Sequence, residues 1–171
     1  MCCDVVGNAP QVFVICGVKN SGKTTLLEGL VKTLTKRGFK VAAIKHDGHD
    51  FTCDLEGTDS DRLKKAGAYG VAVFSAQRIF IHKEEKDTEI TKLIEQFPEA
   101  DFLLIEGMKE SSYPKIEVIR KAISRKPVSN PEGRILLATD WENGTFEEPM
   151  ISINDVEKIA EILIQKRQEE R

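Results

Sequence analysis

The feature that most constrains this chain is the join between residues 11–16 and residues 23–37. The first stretch, QVFVIC, carries a continuous apolar run, as expected of a strand buried on both faces. The second has Leu27, Leu30, Val31 and Leu34 at helical spacing, with Lys36 and Arg37 in its last turn and Gly38 to end it. Between them lies Gly17-Val18-Lys19-Asn20-Ser21-Gly22-Lys23-Thr24, a full match to G-x-x-x-x-G-K-[ST]. A strand, a glycine-bearing loop and an amphipathic helix in this order make a phosphate cradle. The glycines let successive backbone N–H groups turn inward, and the helix N-terminus adds its positive dipole end. Gly17, Lys19, Asn20, Ser21, Gly22, Lys23, Thr24 and Thr25 are the expected nucleotide-binding residues. Lys23 reaches the outer phosphates, and the Thr24 hydroxyl ligates Mg²⁺.

The rest of the chain reads as the α/β fold that such a loop needs. Further strands are expected at residues 39–45, 71–75, 102–105, 116–119 and 134–138, with residues 78–82 able to pair beside the third. Helices are expected at residues 60–66, capped by Thr58 or Asp59, at residues 87–96, and after Asn154 or Asp155. Residues 121–133 hold two prolines and few apolar side chains and read as a loop. The expected architecture is a three-layer P-loop NTPase fold, a mainly parallel sheet flanked by helices. At 171 residues one domain accounts for the whole chain, with residues 1–10 and 166–171 as flexible ends.

Composition narrows the partners. Net charge is -3, from 25 Lys and Arg against 28 Asp and Glu, which disfavours a surface built for nucleic-acid phosphates. The longest apolar runs are about five residues, far short of the roughly 20 that span a bilayer. The first ten residues lack the basic and apolar regions of a signal peptide, so a cytoplasmic protein without a membrane association is the expectation. Cys16 reads as a small core residue. Cys2 and Cys3 read as part of a frayed end, with soft-metal binding as the alternative.

Several carboxylates compete for roles beside the phosphates. Glu106 follows the apolar run Phe102-Leu103-Leu104-Ile105 and stands at the C-terminal tip of its strand, the ligand side of an α/β sheet. It is a candidate for the metal, directly or through water, and for orienting an attacking group. Asp59, after Gly57-Thr58, is a second metal and catalytic candidate, and equally a helix-cap residue. Asp140 follows the strand at 134–138 and can accept both N1–H and N2–H of guanine, a pairing adenine does not offer. His46 and His49, within Lys45-His46-Asp47-Gly48-His49-Asp50, are either a metal pair or part of a polar loop.

Taken together these motifs resemble the MobB family, guanine-nucleotide-binding accessory proteins of molybdopterin guanine dinucleotide synthesis. The resemblance rests on Gly17 to Thr25, Lys45-His46 with Asp50-Phe51, Gly57-Thr58-Asp59-Ser60 followed by Ala66-Gly67-Ala68, Leu104-Ile105-Glu106-Gly107, and the run from Pro114 through Lys115, Ile116, Glu117, Val118 and Ile119 to Arg120. It covers about residues 11 to 140. The family's histidine-rich loop is thinner here, with His46 and His49 remaining. The resemblance implies GTP and Mg²⁺ as ligands, weak GTPase activity, a homodimer, and MobA, a nucleotidyltransferase, as partner. It leaves molybdopterin as a further ligand, for which Lys45, Lys109 and Lys115 are candidate anion contacts. The alternatives are an ATP-dependent small-molecule kinase, with residues 121–133 and Arg125 as its lid, and a GTP-dependent metallochaperone.

Overall fold

A computed structural model describes residues 9–48, 51, 54–141, 144 and 146–169. The chain divides into two compact units where the sequence reads as one domain. One holds residues up to His46 and from Leu93 onward; the other is Asp47–Lys92.

The larger unit is built on six strands: β1 (Gln11–Gly17), β2 (Val41–Lys45), β5 (Phe102–Glu106), β6 (Lys115–Ile119), β7 (Arg134–Thr139) and β8 (Met150–Ser152). Their order is β2-β5-β1-β6-β7-β8, and every pairing is parallel. All C-terminal tips therefore lie along one edge. β8 escapes sequence reading because it is three residues long and carries one apolar pair, Met150-Ile151. β2 begins later than expected. The Phe39 N–H is held by the Leu34 carbonyl at the end of the preceding helix, and the Lys40 N–H is taken by Asp101 Oδ2 at 2.8 Å.

Side chains alternate across the sheet, and the two faces are covered differently. Phe13, Ile15, Phe102, Leu104, Ile116, Val118, Leu136 and Ala138 form one core with helices α1 (Lys23–Lys36) and α4 (Val156–Glu169). The buried stripe of α1 is Leu26, Leu30, Thr33 and Leu34, with Leu27 and Val31 only partly covered. α4 begins with Asp155 Oδ1 accepting the Lys158 N–H, so Asp155 is the cap. It runs to Glu169, and Arg167 lies over the rings of Phe39 and Phe102 and pairs with Asp101.

The opposite face carries Val14, Cys16, Leu103, Ile105 and Leu137, all buried, together with Lys115 and Glu117. Residues 128–132 fasten to these two charges. Glu117 accepts from the N–H groups of Val128 (2.6 Å) and Ser129 (3.1 Å) and from the Ser129 hydroxyl, and it pairs with Arg134. The Lys115 ammonium donates to the carbonyls of Asn130 and Glu132. The expected loop at 121–133 is present but pinned. Burial, reinforced by the Glu117 charge, pushes the Cys16 thiol up to about 11, which suits an inert core residue.

The smaller unit contains α2 (Asp59–Lys65) and an antiparallel pair, β3 (Gly70–Phe74) with β4 (Ile79–Lys83), which form their own two-stranded sheet. Thr58 is the cap of α2, accepting the Asp61 N–H. The expected helix at 87–96 shrinks to α3 (Ile90–Ile94), whose chain position spans the division between the units. Asp87 stands at φ 55°, in the left-handed region, so the helix cannot start there and begins at Ile90.

Candidate phosphate-binding site

The glycine loop follows β1 and feeds directly into α1, as the motif requires. Gly17 has φ 134°, and a Cβ there would stand 2.5 Å from the Val118 carbonyl oxygen, so only glycine fits. Gly22 caps α1 in the left-handed region at φ 95°. Asn20 also takes positive φ, 62°, which its side chain tolerates better than most. Lys23 folds back over the loop and donates from Nζ to the Val18 carbonyl at 2.7 Å. Ser21 is fully buried, and its hydroxyl has no hydrogen-bond partner among the described residues. Lys19, Asn20, Thr24 and Thr25 are exposed.

Glu106 reaches this loop for a reason of register. It shares sheet parity with Phe102 and Leu104, whose side chains meet α1. At the tip of β5 it is largely buried and accepts a hydrogen bond from Thr24 Oγ1 at 2.9 Å. Its backbone is fixed on both sides: its carbonyl accepts the His46 N–H, and the Gly107 N–H donates to the Ile15 carbonyl. A hydroxyl and a carboxylate converging beside a phosphate loop are hard oxygen donors. They fit Mg²⁺, which takes few protein ligands and keeps waters and phosphate oxygens for the rest.

Asp140 sits at the tip of β7, about one-third exposed. Oδ1 accepts the Lys121 N–H at 2.7 Å and Oδ2 lies 3.6 Å from Arg120 Nη1. The Lys121 N–H, more than the Arg120 charge, holds its carboxyl below the usual range. A carboxylate has about four acceptor positions, so lone pairs remain for a base.

Asp59 belongs to the other unit. It is the first residue of α2, almost fully exposed, 3.6 Å from Arg62. The buried acid of that helix is Asp61, which accepts the Gly57 N–H and pairs with Lys65 at 2.8 Å. Lys115 is corrected as an anion contact: it is fully buried and its ammonium is committed to loop carbonyls. Lys45 and Lys109 are exposed. His46 is exposed, while His49, Cys2 and Cys3 lie outside the described residues. Among the described residues no group of three or more His, Cys, Asp or Glu gathers as a metal cluster, and no helix is long and apolar enough to cross a membrane.

Two features escaped sequence reading. One is the Lys115, Glu117, Ser129 and Arg134 cluster, because charges alternating in a short strand look like a solvent face. The other is Arg120, whose Nε donates to the Ser21 carbonyl at 3.2 Å. Its parity with Ile116 and Val118 was the available signal.

The family model described as molybdopterin guanine dinucleotide synthesis protein B, MobB, matches residues 12–140. A molybdopterin-guanine dinucleotide biosynthesis adapter protein of Haemophilus influenzae is 34% identical over 161 residues, covering 92% of this chain and 90% of its own. A protein of the same description from Escherichia coli is 33% identical, with coverages of 88% and 89%. The crystal structure of Bacillus subtilis MobB superposes with a TM-score of 0.71 at 28% identity, covering 92% of this chain and 97% of that one. The match to the family model runs from β1 through the tip of β7 and includes the phosphate loop, Glu106 and Asp140: the chain belongs to the MobB family.

Proposed function

We propose that this protein is a GTP-binding adapter in molybdopterin guanine dinucleotide biosynthesis, with weak Mg²⁺-dependent GTPase activity, acting beside a MobA-type nucleotidyltransferase in the cytoplasm. The observation that carries the nucleotide reading is the Thr24–Glu106 contact at the mouth of a complete phosphate loop. The biosynthetic role is supported by the descriptions of the relatives.

In this reading the N–H groups from Gly17 to Thr25 wrap the phosphates, and Lys23 swings from the Val18 carbonyl to the outer phosphate oxygens. Thr24 Oγ1 and Glu106 would hold Mg²⁺. When bound, the ion neutralises phosphate charge. Glu106 orients a water for hydrolysis, chiefly by positioning. Asp140 reads the guanine edge with its remaining lone pairs. Lys45 and Lys109 are the surviving candidates for contacts to an anionic pterin.

The active form is proposed to be a homodimer. On β3 and β4, Phe74 faces Ile79 and Ala72 faces Ile81, so these side chains share one face. Phe74 is 82% exposed, Ile79 70% and Ile81 62%. An isolated two-stranded sheet is marginal in water, and a contiguous apolar face of this kind is suited to a partner surface.

Calorimetric titration with non-hydrolysable GTP and ATP analogues, each with Mg²⁺, tests the nucleotide reading. Guanine preference, lost in Asp140→Asn and abolished altogether in Lys23→Ala, is the expected result. Unchanged binding by Lys23→Ala would sink the assignment. Adenine preference would remove the role of Asp140 and favour a kinase.

A further inference from the structure

Arg120 follows β6 directly and lies outside the phosphate-loop motif. We propose that Arg120 is a positioning residue that sets the Ser21–Gly22 peptide of the phosphate loop and ties it to Asp140, so that the phosphate and base ends of the nucleotide site are energetically coupled. The inference rests on the nucleotide reading above.

Three contacts carry it. Arg120 Nε donates to the Ser21 carbonyl at 3.2 Å. Its Nη2 lies over Gly22, 3.4 Å from where a Cβ would stand. Its Nη1 stands 3.6 Å from Asp140 Oδ2, while Asp140 Oδ1 is fixed by the Lys121 N–H. The three strand tips are brought together by parallel pairing: Gly17 is opposite Val118, and Ile119 is opposite Thr139. Arg120 shares parity with Val118, and Asp140 with Ala138, so both tips point to the face that carries α1.

The chemistry follows from peptide planarity. In a trans peptide the C=O and the following N–H point in opposite directions. Holding the Ser21 carbonyl toward Arg120 aims the Gly22 N–H the other way, into the loop. The guanidinium suits this task because its donors are fixed in one plane and can serve two acceptors at once. A lysine carries the same charge on a single point. Changing the state of Asp140 at the base end therefore changes the hold on the loop.

The test uses the full chain with Mg²⁺ and three probes: a non-hydrolysable GTP analogue, its ATP counterpart, and inorganic tripolyphosphate. Arg120→Ala and Arg120→Lys are expected to weaken both the GTP analogue and tripolyphosphate by about tenfold, the scale of one charged hydrogen bond. Free guanidinium should partly restore Arg120→Ala. In Arg120→Ala combined with Asp140→Asn, the loss for the GTP analogue should be smaller than the product of the single losses. Wild-type binding by a folded Arg120→Lys would show that charge alone suffices and overturn the proposal, as would losses that simply multiply. Amide hydrogen exchange over residues 17–24 without nucleotide separates the two readings. Faster exchange in Arg120→Ala, in a protein that binds none of the probes, would leave the bracket standing and remove the nucleotide reading. Unaltered exchange together with unaltered binding would remove the bracket alone.

Discussion

The sheet edge around the phosphate loop and the β3–β4 hairpin are opposites in composition and burial. In the larger unit charged groups are buried and answered: Lys115 by carbonyls, and Glu117 by two N–H groups, a hydroxyl and Arg134. In the smaller unit large apolar groups are exposed and unanswered, with Phe74, Ile79 and Ile81 on one face. The difference teaches how each is completed. The parallel sheet closes its polar accounts within one chain. The hairpin offers surface that water does not favour, which is the surface the proposed homodimer would cover.

That contrast can be broken at several points. Phe102→Ala should cost about 4 kcal/mol in urea denaturation, because its ring is fully buried between Phe13, Phe39 and α1. The loss should not depend on protein concentration. Glu117→Ala should cost about 3 kcal/mol by leaving the Val128 and Ser129 N–H groups without their acceptor and Arg134 without one of its two carboxylate partners. A near-neutral result would mean that residues 128–132 hold their place without it. Phe74→Ser with Ile81→Ser should convert dimers to monomers in light scattering and melt below the parent, with a gap that narrows as the parent protein is diluted. A parent that is monomeric at all concentrations would break the comparison.

The smallest effect expected is at Asp61. Pairing with Lys65, and secondarily the Gly57 N–H, lowers its folded pKa below the ordinary 3.8. The carboxylate therefore contributes stability that is fully present above the unfolded value and fades as pH falls through the folded one. Asp61→Asn should melt below the parent at pH 7, and the gap should narrow below about pH 3.8. A gap that persists in strong acid would show that the effect is packing rather than charge.

Much of this was legible beforehand. The phosphate loop announced itself because its backbone needs glycine at defined places, as Gly17 against Val118 shows. The strand at 102–105 and its terminal Glu106 followed from a continuous apolar run. What failed did so for local reasons. Leu26 rather than Leu27 leads the buried stripe of α1, because the helix is rotated by its packing against α4 and the sheet. Lys115 reads as a candidate anion contact, yet both faces of its strand are covered. The helix expected at 87–96 starts late, after a left-handed Asp87 that no apolar period reports.

By itself the sequence determined the α/β class, the phosphate loop and the strand tips on which the acids stand, because these depend on short-range pattern and on backbone freedom. Tertiary structure alone decided which tips meet. Parallel register brought Glu106 to Thr24 across 82 positions of chain and Arg120 to Ser21 across 99. Such contacts are set by strand order and side-chain parity acting together, and neither the strand order nor the covering of the second face is written in any local stretch of residues.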